Sequence, residues 1–180
     1  MNYGNIIYND IANGIGCRTS LFVSGCTHHC KGCFNEMTWD FNYGEPFTTE
    51  IEDKIIESLR PTYISGLTIL GGEPMEVPNQ AVLRPFIERI KRELPNKTIW
   101  IYSGYLLEEL MDEDNKRCHS SDTMKILEAI DILVDGEFVE ALKDIMLRFR
   151  GSSNQRIIDV PGTLRQGEIV LSKYNEKNIM

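Results

Sequence analysis

Four short apolar runs frame this 180-residue chain: Thr19–Ser24, Leu67–Leu70, Thr98–Tyr102 and Ile132–Val134. Each is continuous rather than alternating, the pattern of a strand covered on both faces in a parallel sheet. Helical patterns fall between them. Ile51, Ile55, Ile56 and Leu59 recur at helical spacing behind a Thr49/Glu52 capping box, and Pro61 ends that segment. A second helix over 80–94 puts Leu83, Phe86, Ile87, Ile90 and Leu94 on one face, and shorter helical pieces at 106–111 and about 122–130 precede the fourth strand. A fifth strand is expected at Ile157–Asp159. Before the first, the Gly-rich piece Asp10–Gly16 after Ile6-Ile7-Tyr8 reads as a turn. Strands alternating with helices imply parallel pairing through right-handed crossovers. A full eightfold barrel takes about 250 residues. The expected fold is therefore α/β, an incomplete TIM-like barrel with mostly parallel strands.

The residues just past each strand carry the chemistry. Cys26, Cys30 and Cys33 come directly after the first run, in a C-x3-C-x2-C spacing. Thiolates this close on one loop suit a soft metal or an iron–sulfur cluster. A structural zinc site wants four ligands, and a protein-held cubane normally has four cysteines. Three leave one metal position open, unless His28, His29 or His119 completes a zinc site. His28 and His29 sit on a short loop and are expected to face solvent; Cys118 and His119 are expected to be solvated, and Cys17 a small buried residue. A disulfide within so short a loop is disfavoured. Gly71-Gly72-Glu73-Pro74 comes after the second run. Its glycines permit close backbone approach to a ligand, and Glu73 offers a fixed anion suited to an ammonium group. Ser103 lies just past the third strand and Asp135 just past the fourth. Either could accept from a ribose or contact a carboxylate through a bridging cation or water; Asp135 reads equally as a helix N-cap. In an α/β sheet the carboxyl ends of parallel strands share one edge, where ligands bind. The donors of Arg150–Arg156 suit a carboxylate or a partner chain, or form a polar loop. The aromatic stretch Met37–Tyr43 reads as a cofactor shield, a partner surface or core.

Composition narrows the class. A net charge of −8 argues against a nucleic-acid binder. No apolar run reaches the ~20 residues of a membrane span, and Met1 leads into no basic-then-apolar signal. Five cysteines, an odd number, fit a reducing cytoplasm. The expected organisation is one domain over 1–180, with a core of about 2–160 and a polar tail at 172–180.

The cysteine loop together with Gly71-Gly72-Glu73-Pro74 resembles the radical S-adenosylmethionine family. Further segments narrow the likeness: Leu21–Cys26, Gly32–Asn35, Thr38-Trp39, Gly66–Thr68, Val134–Phe138 and Arg150–Gln155 resemble the activating proteins of anaerobic ribonucleoside-triphosphate reductase, a glycyl-radical-enzyme activase family. Gly32 replaces the aromatic residue that many superfamily members carry before the third cysteine. The resemblance implies a 4Fe–4S cluster on Cys26, Cys30 and Cys33, with S-adenosylmethionine on the fourth iron. It implies that Glu73 pairs with the ligand's ammonium, with Gly72 and the Gly32–Cys33–Phe34 backbone beside it. It further implies an external electron donor, flavodoxin-like or similar, and, as partner, the large glycyl-radical subunit of the anaerobic reductase. Activation of another glycyl-radical enzyme and a non-catalytic zinc or iron–sulfur module are the competing readings.

Overall fold

The computed structural model describes residues 1–175. Seven strands form one mixed sheet in the order β3-β1-β2-β4-β5-β6-β7. They are β1 (Asn2–Asp10), β2 (Cys17–Val23), β3 (Glu45–Pro46), β4 (Ile64–Gly71), β5 (Thr98–Tyr102), β6 (Ile132–Asp135) and β7 (Arg156–Asp159). The helices are α1 (Thr49–Leu59), α2 (Val77–Glu93), α3 (Leu107–Met111), α4 (Thr123–Ala129) and α5 (Val160–Gln166). β2, β4, β5 and β6 are mutually parallel, whereas β1, β3 and β7 pair antiparallel to their neighbours.

This corrects the expected fold. The chain is α/β, but its sheet is mixed, and three of six pairings are antiparallel. It is not a mostly parallel barrel fragment. Connection length gives the reason. A parallel crossover needs about a dozen residues or more, usually carrying a helix. Only residues 11–16 join β1 to β2, and the 136–155 stretch between β6 and β7 contains no α-helix. Both connections return the chain antiparallel. The Gly-rich piece is indeed the turn, but the nine-residue strand before it was hidden by its Asn and Gly residues and by two register shifts against β2.

Period-2 alternation divides the sheet's two faces. Leu21, Val23, Leu67, Ile69, Ile99, Ile101 and Leu133 meet Ile55, Leu59, Leu83, Phe86, Ile90, Leu110 and Ile126 of the helices in the larger core. The opposite face carries Trp100, Ile132, Val134 and Ile157, covered by Ile15, Phe149 and Tyr174. Buried Arg18 also lies there, under Trp100, and donates to the Leu67 and Thr98 carbonyls and the Thr68 hydroxyl.

Several local expectations change. α1 starts after Thr48 rather than with a Thr49/Glu52 box, and no side chain caps it. α2 begins at Val77, because Pro78 fits the first helical turn where no N–H is required. Residues 172–175 are not frayed. Tyr174 packs near Trp100, and the Asn175 side chain accepts from the Ile157 N–H. The rest of that expected tail, 176–180, lies outside the described residues.

Candidate iron–sulfur site

The carboxyl ends of β2, β4, β5 and β6 meet at one edge, where a cleft is lined by Cys26, Cys30, Cys33, Gly71, Gly72, Glu73, Ser103 and Gly104. Backbone bonds build the cysteine loop from the strand outward. Ser24 N–H donates to the Asn2 carbonyl, Gly25 N–H to Thr38 and Cys26 N–H to Trp39. The Cys33 N–H closes a turn onto the Cys30 carbonyl. The segment after the Gly-Gly turn holds this loop in place. Glu76 accepts from both the N–H and the hydroxyl of Thr27, at 2.8 and 2.6 Å. Buried Asn79 donates to the Ser24 and Glu73 carbonyls, tying the two loops together.

The glycines serve that packing. A Cβ on Gly72 would stand 2.7 Å from the Gly25 carbonyl oxygen and 2.9 Å from that of Thr38. At Gly71, φ is +111° and a Cβ would meet the Val23 nitrogen at 2.7 Å. The space that missing side chains leave is filled by backbone: that of β2 at Gly71, and that of Gly25 and Thr38 at Gly72.

Glu73 is 1% exposed and fully engaged. One oxygen accepts from the Met75 N–H and the Ser103 hydroxyl, the other from the Gly104 N–H at 2.6 Å. His28 Nε2 takes the remaining place, and its Nδ1 lies 2.7 Å from Glu137. Both ring nitrogens face carboxylate oxygens, which only accept, so both carry protons. Burial opposes that charge, but the bonds to Glu73 and Glu137 outweigh it and raise the His28 pKa. The expected solvent-facing histidine is thus a buried cation. His29 does remain exposed, with its ring stacked on Trp39.

All five cysteines are free. Burial pushes the Cys26 thiol up to about 12 and raises that of Cys30, so each keeps its proton at neutral pH until a metal displaces it. Among the described residues, no three His, Cys, Asp or Glu side chains converge to hold a single metal ion. A mononuclear zinc site would need that convergence. A cubane instead takes each thiolate on a different iron, and three free thiols around one cleft suit that demand.

Residues 12–158 match the family described as "4Fe-4S single cluster domain". The anaerobic ribonucleoside-triphosphate reductase-activating protein of Pasteurella multocida is 45% identical over 159 residues, covering 87% of this chain and 96% of its own length. The Escherichia coli K12 protein of the same name is 44% identical over 157 residues, 86% of this chain and 96% of its own. That of phage T4 is 35% identical over 157 residues, 87% and 93%. This chain belongs to the anaerobic ribonucleoside-triphosphate reductase-activating proteins.

Not every candidate residue reaches the cleft. Asp135 is wholly buried. It accepts from the Leu107 N–H at the start of α3 and from the Arg156 guanidinium. It caps a neighbouring helix and does not line the cleft. Phe34 is 73% exposed and lies 5.8 Å from Phe138. Gly32 has φ +74° and sits on the outside, against Glu140. Ser103 lines the cleft, but its hydroxyl proton goes to Glu73. The Arg150–Arg156 loop spends donors on its own surroundings: Arg150 on the Gln155 and Asn175 carbonyls, and Gln155 on Gly136. Of the pair expected to be solvated, Cys118 is buried, while His119 is partly exposed and bonds the Leu110 carbonyl. Cys17 is half-buried beside Asn9. Sequence reasoning missed Glu76, Asn79 and the role of His28. Glu76 and Asn79 come after Glu73 at three-residue intervals, but nothing in that spacing shows that they reach back to another loop.

Proposed function

We propose that the chain, acting as one domain, is a radical S-adenosylmethionine activase that installs a glycyl radical on the large subunit of anaerobic ribonucleoside-triphosphate reductase. Cys26, Cys30 and Cys33 would hold three irons of the 4Fe–4S cluster, leaving the fourth for S-adenosylmethionine. When bound, these groups would supply one-electron cleavage of a sulfonium C–S bond and the hydrogen-atom abstraction that a glycyl radical requires. An external donor, flavodoxin-like or similar, supplies that electron.

The chain's own residues bind and orient. Gly71 lets β2 approach the end of β4, Gly72 makes room for the Gly25 backbone that leads into the cysteine loop, and Glu76 and Asn79 hold the loop there. A ligand ammonium would take the place on Glu73 that the His28 imidazolium occupies, exchanging cation for cation so that the buried carboxylate is never left unpaired. Ser103 and the Gly104 N–H hold that carboxylate in position meanwhile. The observation carrying this reading is the placement of three free thiols and the Gly-Gly-Glu turn around one cleft.

The test is anaerobic reconstitution with iron and sulfide, then mixing with the reductase large subunit, S-adenosylmethionine and reductant. A glycyl-radical EPR signal with stoichiometric methionine is the expected result. A colourless, zinc-loaded protein that leaves S-adenosylmethionine intact would defeat the proposal.

A further inference from the structure

Trp39 carries a hydrogen-bond donor that the polypeptide leaves unanswered. Its indole Nε1–H is buried and meets no acceptor among the described residues. An indole nitrogen donates and cannot accept, so what it lacks is an acceptor. The ring is held firmly in relation to the cysteines. The Trp39 carbonyl accepts from the Cys26 N–H at 3.2 Å. Its ring stacks on His29, one residue before Cys30, at 4.5 Å between centroids and 25° between planes. Trp39 also lines the cleft with all three cluster-loop cysteines. The cleft that Trp39 helps to line is the one in which a cluster on those cysteines would present sulfide and thiolate acceptors.

We infer that the Trp39 indole N–H donates to a sulfur of the cluster held by Cys26, Cys30 and Cys33, and sets its reduction potential. The inference rests on the proposed ligand assignment. An N–H···S bond stabilises the more negative, reduced cluster more than the oxidised one, and so raises the potential. Trp39 would therefore make the cluster easier to reduce before S-adenosylmethionine arrives.

The test compares wild type with Trp39→Phe, both reconstituted anaerobically without S-adenosylmethionine, in an EPR-monitored redox titration. Phenylalanine keeps a stacking ring and deletes the N–H. The expected result is unchanged iron per chain with a more negative midpoint potential in the variant. Equal midpoints would overturn the inference. Should the variant fail to hold a cluster, wild type labelled with 15N at the tryptophan indoles decides. Trp100 lies in the core of the sheet's other face, so hyperfine coupling of the reduced cluster to an indole nitrogen reports Trp39. Coupling without S-adenosylmethionine supports the inference; no coupling, or coupling only after S-adenosylmethionine is added, overturns it. Wild type that forms no cluster at all would sink the ligand assignment, and this inference with it.

Discussion

His28 Nε2 lies 3.1 Å from Oε2 of Glu73, with 3% and 1% of the two side chains exposed. The pair is an internal ion pair beside the cluster loop, and the second nitrogen of the ring is spent on Glu137. Removing one member of such a pair leaves a buried charge without its partner. We expect His28→Ala to destabilise the cluster-free protein by about 3 kcal/mol, measured by urea unfolding under reducing conditions. The reconstituted variant should bind S-adenosylmethionine more tightly, because the competing cation is gone. Weaker binding in a calorimetric titration would contradict the proposed exchange on Glu73.

Gly72→Ala tests whether the turn serves the ligand or the loop. Its new Cβ would press on the Gly25 and Thr38 carbonyl oxygens, which are backbone and yield little. We expect about 2 kcal/mol of destabilisation, typical of an overpacked site, with clearly less iron per chain after reconstitution. Full iron content with impaired S-adenosylmethionine binding would instead return the glycine to the ligand.

Asp135→Ala separates scaffold from site. The carboxylate is buried under Arg156 and the α3 N-terminus, so its loss should cost roughly 3–5 kcal/mol by denaturant unfolding. Cluster content and S-adenosylmethionine affinity should be retained in whatever fraction stays folded. A tenfold fall in affinity with stability unchanged would make Asp135 a ligand contact.

The cluster-free protein should lose stability as pH rises above about 9. Cys26 ionises only near 12 in the folded chain because burial opposes the thiolate, whereas an unfolded cysteine ionises near 8.5. Between these values the folded state binds the extra proton, so raising the pH favours unfolding. Thermal melts of wild type and Cys26→Ser across pH 8 to about 10.5 should diverge; parallel curves would remove Cys26 as the source.

Cys30→Ala should abolish iron binding while the far-ultraviolet circular dichroism persists, since Cys30 lies half-exposed on a loop outside the main core. Global unfolding of this variant would point to a structural metal.

Local chemistry was open to reading along the chain. A continuous apolar run such as Thr98–Tyr102 buries itself whatever surrounds it, and Cys26, Cys30 and Cys33 are neighbours by covalent distance alone. Direction and partnership were not so readable. Whether β7 runs with or against β6 depends on how the 136–155 connection returns, and no residue pattern within Arg156–Asp159 encodes that. His28 looks like any loop histidine until folding brings Glu73 and Glu137, 45 and 109 residues away, against its two nitrogens. Asp135 looks like a ligand at a strand end until Arg156 closes over it. The sequence alone determined which side chains can bond metal, because that comes from thiol chemistry and spacing. Only the tertiary structure decided which charges meet, because Coulomb attraction and desolvation depend on distances through space that the chain's order does not set.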